Sequence, residues 1–133
     1  NNTATAAFTA NVTPVNDAPS LVLGANPVDP FGTSGARTVP GFVANVNYGP
    51  FETQSVAAYN VVETSDLSNV VSSASIALNG TLSYTLSGTA GTATLAASVR
   101  DDGGTANGGV DTSAPAAFTI TVLSDTLFSD GFE

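Results

Sequence analysis

The stretch TATLAASVR, residues 92 to 100, sets Ala93, Leu95, Ala97 and Val99 at every second position, and AAFTITV at 116 to 122 does the same with Phe118, Ile120 and Val122. A period of two fits an extended strand with one buried face, because a helix instead brings together residues three and four apart. The segment SIALNGTLSYTL, 75 to 86, carries Asn79-Gly80 between alternating arms, which predicts a hairpin closed by a type I′ turn with both residues left-handed. SLVLG at 20 to 24 and the β-rich TQSVAAYNVVE at 53 to 63 add further strands. Turn signals recur between these runs and no helical period is sustained. About seven short strands are therefore expected, folded as an antiparallel β-sandwich. Residues 25 to 52, rich in Pro, Gly and aromatics, read as a long excursion with room for one or two edge strands, such as Phe42 to Asn47.

Composition narrows the chemistry. Charged residues make up only 10% of the 133, and the net charge is −9, with Arg37 and Arg100 as the sole basic residues. Tracking a phosphate backbone needs clustered cations, so nucleic acid is not an expected partner, and neither is an anionic membrane surface. The excess carboxylate keeps the chain soluble and suits divalent cations. Histidine and cysteine are absent, which removes disulfides, ordinary zinc sites and both Ser-His and Cys-His nucleophile pairs. No apolar run reaches the roughly 20 residues of a membrane helix, so no membrane insertion is expected. With no methionine, the chain is expected to be a processed piece of something longer.

A repeat links the two ends. AAFTANV begins at Ala6 and AAFTITV at Ala116, so that Ala6, Ala7, Phe8, Thr9 and Val12 recur as Ala116, Ala117, Phe118, Thr119 and Val122. The expected organisation is residues 1–13 as the last strand of a preceding repeat or a captured extra strand, 14–19 as a linker, 20–123 as the sandwich, and 124–133 as an acidic tail. The parent would be a tandem array.

PVNDAP at 14 to 19 and DDGGTANGGVDTS at 101 to 113 resemble the cadherin-like and immunoglobulin-like tandem repeats of large bacterial surface proteins and adhesins. The resemblance spans residues 14 to 123. It implies an immunoglobulin-like (cadherin-like) sandwich, an Asn-Asp-x-Pro linker before each module, end-to-end stacking, and an extracellular, secreted or cell-surface location. The animal cadherin linker has an acidic residue where Pro14 stands and a second Asn that is missing here, so its full calcium set does not carry over.

In such a sandwich the first strand starts at the pole where the preceding module enters and the last strand ends at the opposite pole. The loop between the last two strands, 101 to 115, must then lie beside the linker. Asn16, Asp17, Asp101, Asp102 and Asp111, with Asn107, glycine carbonyls and Glu52 or Glu63 within range, would offer hard oxygen ligands to calcium. The alternative is a plain turn, with aspartates capping their own backbone and glycines taking positive φ. The spacing matches neither an EF-hand nor the glycine-aspartate nonapeptide of β-rolls.

Phe31, Phe42, Tyr48 and Phe51 in the excursion are either stacking faces for sugar rings, with Phe42 and Tyr48 foremost, or cover for an open edge of the sandwich. LFSDGFE at 127 to 133 resembles C-terminal tails of secreted proteobacterial proteins. Asp101 and Asp102 are neighbours on a turn and make a poor acid/base pair; no catalytic residue is expected, and no phosphate loop is found. The function expected is a non-catalytic structural or adhesive repeat whose partners are neighbouring repeats and, through the array, a glycan or cell-surface receptor. The alternative is a carbohydrate-binding module.

Overall fold

The computed structural model describes residues 4–125. Among them nine strands follow in chain order: β1 (Ser20–Leu23), β2 (Val28–Asp29), β3 (Ser34–Val39), β4 (Val43–Asn47), β5 (Val56–Ser65), β6 (Val71–Ile76), β7 (Leu82–Ser87), β8 (Gly91–Asp101) and β9 (Ala116–Val122). One layer is a four-stranded sheet in the order β2-β9-β8-β5; the other holds β3-β7-β6, with the pair β1-β4 beside it. All pairings are antiparallel except β2 with β9, which run parallel. The fold is an all-β, immunoglobulin-like sandwich, and the parallel pair departs from a purely antiparallel one.

The alternating residues form the core as their period requires. Leu82, Tyr84 and Leu86 of β7 face Ala93, Leu95, Ala97 and Val99 of β8 and Phe118, Ile120 and Val122 of β9, and all are buried. Phe42 joins them at 1% exposure, its ring packed edge-on against Phe118 with centroids 5.0 Å apart. Burying a side chain of that size contributes about 2–3 kcal/mol. Phe42 is therefore a core residue, which corrects the expectation that it offers a face to sugars.

The 25 to 52 excursion holds three strands rather than one or two. β4 falls where an edge strand was expected. β3, SGARTV, lacks apolar alternation and is exposed over most of its length, so it is held by its six-residue register with β7 rather than by burial. The hairpin at Asn79-Gly80 forms, but only Gly80 is left-handed, at φ 86°. Gly80 N–H donates to the Ala77 carbonyl and Ala77 N–H to that of Thr81, so the corner is a type I turn with glycine in the bulge position. The Asn79 side chain instead accepts from Thr81 N–H.

β5 is an outer strand of its sheet, and its pairing with β8 shifts register near both ends, between Val56 and Ala58 and between Glu63 and Ser65. Residues 4–13 belong to no strand. Phe8 is 89% exposed although its repeat partner Phe118 is 2% exposed, and Val12 is bare where Val122 is buried. The tail motif at 127 to 133 lies outside the described residues.

Candidate functional site at the incoming pole

The last residues of β8 deliver Asp101 to the pole where the chain enters. Alternation along β8 turns Asp101 inward, and it is 1% exposed. A buried carboxylate is costly unless its oxygens are matched. Oδ1 accepts from Gly103 N–H at 2.9 Å and from the side-chain amide of Asn16 at 2.8 Å. Oδ2 is buried with no hydrogen-bond partner among the described residues.

Asn16 organises the whole loop. Its amide nitrogen donates to Asp101 Oδ1, to the Gly104 carbonyl at 3.0 Å and to the Val110 carbonyl at 3.1 Å, so two N–H hydrogens serve three acceptors. Its side-chain oxygen accepts from Gln54 Nε2 at 3.0 Å, and its main-chain carbonyl accepts from Val110 N–H at 2.9 Å. The glycines make room for it. A Cβ on Gly103 would collide with the Asn16 side-chain amide, and one on Gly109 would come within 3.1 Å of the Asn16 main-chain nitrogen. The aspartate-glycine loop is thus a fitted socket for Asn16.

The five sequence-predicted ligands divide. Asn16 and Asp101 meet directly. Asp17 lies at the same pole but pairs with a different group: its N–H donates to Glu52 Oε1 at 2.9 Å, and its carboxylate lies with Glu52 Oε2 over Gly49. Asp102 is turned away, exchanging two hydrogen bonds with the Ser55 backbone. The Asp111 carboxylate accepts from Thr112 Oγ1, and only its main-chain carbonyl reaches Asp101, at N–H. Among the described residues no three acidic side chains gather closely enough to hold a metal ion.

Glu52, Gln54 and Ser55 escaped the sequence reading, apart from Glu52 as an unplaced option. The signal was the antiparallel pairing of β5 with β8: Val56 stands opposite Asp101, so the polar run before Val56 must face the loop after Asp101. Glu52 Oε2 and Gln54 Oε1 are, like Asp101 Oδ2, buried oxygens without partners among the described residues. These atoms suit a hard cation in chemistry, although the acidic groups are not drawn together in this arrangement.

A second polar cluster lies across the sandwich. Asp29 of β2 is buried and takes Arg37 of β3 at 2.8 Å and the Tyr84 hydroxyl of β7 at 2.7 Å, tying the two layers together. Burial, and then the hydrogen bond and charge of Asp29, push the Tyr84 phenol up to about 12, against a smaller opposing pull from Arg37. Tyr48 is half-buried, and Tyr59 is shifted upward by burial and by Tyr48. A shallow groove on the outer face of β5 and β8, about 340 Å³, is lined by Asn60, Val62, Thr64, Ala96, Ser98, Ser113 and Pro115, with no aromatic ring among them. No helix among the described residues is long and apolar enough to cross a membrane.

No family model and no curated protein matches the chain. Among solved structures it is similar to the solution structure of the PKD domain from KIAA 1837 protein, at 11% identity over 90% of this chain and 95% of that one, with a TM-score of 0.44. The assignment of the fold rests on the strand pairing described above.

Proposed function

We propose that this chain is a non-catalytic spacer module of a tandem array in an extracellular bacterial protein, serving to extend and present neighbouring domains. One observation carries the reading. The same heptad pattern buries its Phe and Val when it closes this sandwich as β9 and leaves them bare at residues 6–12. A strand-forming segment with an uncovered apolar face has its natural place as the last strand of a preceding sandwich. Adhesion, to a glycan or a surface receptor, would then belong to the array.

The incoming pole is proposed to bind calcium where two modules meet. The buried, unmatched oxygens of Asp101, Gln54 and Glu52, with the carboxylate of Asp17 beside Glu52, would supply hard ligands once a neighbouring module abuts. Asp102 and Asp111 are not in this set, because their carboxylates are engaged elsewhere.

A two-module protein tests this reading: residues 14–123 followed directly by 14–125, so that the first copy's last strand leads into the second linker. Small-angle X-ray scattering should give a rod of two sandwiches that stiffens with millimolar calcium. Modules that tumble independently in both calcium and chelator would overturn it.

A further inference from the structure

Residues that carry tension are set by which contacts connect the point where load enters to the point where it leaves. In an array, load enters a module through the segment before Asn16 and leaves beyond β9. Asn16 is bonded through both its main chain and its side chain to Val110, 94 positions later, and Val110 lies a short loop before Ala116, the start of β9. The shortest mechanical route therefore runs from the linker into Asn16, across to Val110, and along β9 to Val122. The chain path from Asp17 to Gly109, which runs through β1 to β8, is bypassed while the Asn16 contacts hold, and of that span only the anchoring points Gln54, Asp101 and Gly104 share the load.

The contacts are arranged to hold. Five hydrogen bonds radiate from the one residue, to Asp101, Gly104, Val110 twice, and Gln54, so a pull on Asn16 loads them together. The route also has a second stage. β2 and β9 run parallel, joined by Thr121 N–H to the Pro27 carbonyl and by Leu123 N–H to that of Asp29. Load entering the start of β2 and leaving the end of β9 slides the two strands along each other. Both bonds must then stretch at once, whereas in a peeled hairpin they break one after another. Arg37 and Tyr84 hold the Asp29 side chain from the other layer.

We infer that Asn16 is a force shunt: under tension it passes load from the incoming segment across to β9, so that the chain path through β1 to β8 is bypassed. The inference rests on the array reading for its biological use, but it is measured on the single chain and can fail independently of that reading.

The experiment is single-molecule stretching of the full chain in two geometries, one with handles at the two termini and one with handles at Ser20→Cys and the C-terminus, which bypasses Asn16. Terminal pulling should show a rupture event that Asn16→Ala removes or shifts to at most half its force. Pulling from position 20 should be the same with and without that substitution. Should Asn16→Ala fail to fold cooperatively, Gln54→Ala, which deletes one of the five bonds, serves instead and should lower the same event by a smaller fraction. Terminal pulling that is indifferent to these substitutions, or a loss of equal size in both geometries, overturns the shunt. Terminal pulling that fails while the two-module rod still forms leaves the array standing and removes only the shunt.

Discussion

Oδ1 of Asp101 accepts a 2.8 Å hydrogen bond from the side-chain amide of Asn16, a residue 85 positions earlier in the chain. A residue ahead of β1 and a strand end so far apart in sequence form one buried unit, which makes the segment around Asn16 part of the folded sandwich. Asn16→Ala removes the shared donor and leaves Gly104 and Val110 carbonyls and the Gln54 amide short of a partner. Equilibrium denaturation should show a loss of about 2–3 kcal/mol, and Asn16→Asp, which sets a carboxylate against Asp101, should lose at least as much.

Gly103 is a matter of space. Gly103→Ala should destabilise by roughly 1–3 kcal/mol through overpacking. In the Asn16→Ala background most of that cost should vanish, and a double-mutant cycle reads the coupling. Additive losses would mean that the socket is not what requires glycine.

The two copies of the heptad should respond in opposite ways. Phe118→Ala hollows the core and should cost about 3–5 kcal/mol. Phe8→Ala touches nothing in this chain and should stay within about 0.5 kcal/mol. In a protein that includes the preceding module, Phe8→Ala should become as damaging as its counterpart.

Alkaline stability follows from Tyr84. Its folded pKa, about 12, lies above the ordinary phenol value of 10.0, so the unfolded chain gives up its proton first as pH rises. The contribution of the neutral hydroxyl is fully present below pH 10 and is lost between there and 12. Thermal melts should fall across that window in the wild type and fall less in Tyr84→Phe. An absorbance titration should show the Tyr84 phenol ionising above the ordinary phenol range.

Calcium gives a cleaner separation of residues than of sites. In the two-module protein, calorimetry should show binding in about the 10⁻⁴ to 10⁻³ M range. Asp101→Asn should abolish the heat, whereas Asp111→Asn should leave it, because only the main chain of Asp111 faces the pole. Chelator should lower the melting temperature of the wild type and of Asp111→Asn, and leave that of Asp101→Asn unchanged.

The sequence made the sandwich legible wherever one face was buried. β7, β8 and β9 alternate, and alternation is a direct record of burial. β3 carries no apolar alternation and only Val39 at its end reaches the core, because the strand owes its place to pairing, which leaves no periodic trace, and it was missed for that reason. The shared pole of Asn16 and Asp101 followed from topology. Which carboxylates point inward did not, since a strand end fixes side-chain direction for Asp101 while Asp102 and Asp111 sit in a loop whose hydrogen bonds decide theirs. The Asp29, Arg37 and Tyr84 cluster left only one hint, that Arg37 is one of two cations in a strongly acidic chain.

The shifts of register near both ends of β5 bear on how many such modules can lie side by side. An outer strand of ten residues offers unpaired backbone groups to any neighbour, and an array or a crowded surface multiplies the opportunities for fusion into a continuous ribbon. Each bulge twists the strand and leaves only a short flat stretch between them. Copies can therefore crowd laterally without zipping together, and the irregularity that spoils the ladder within one molecule protects against fibre growth among many.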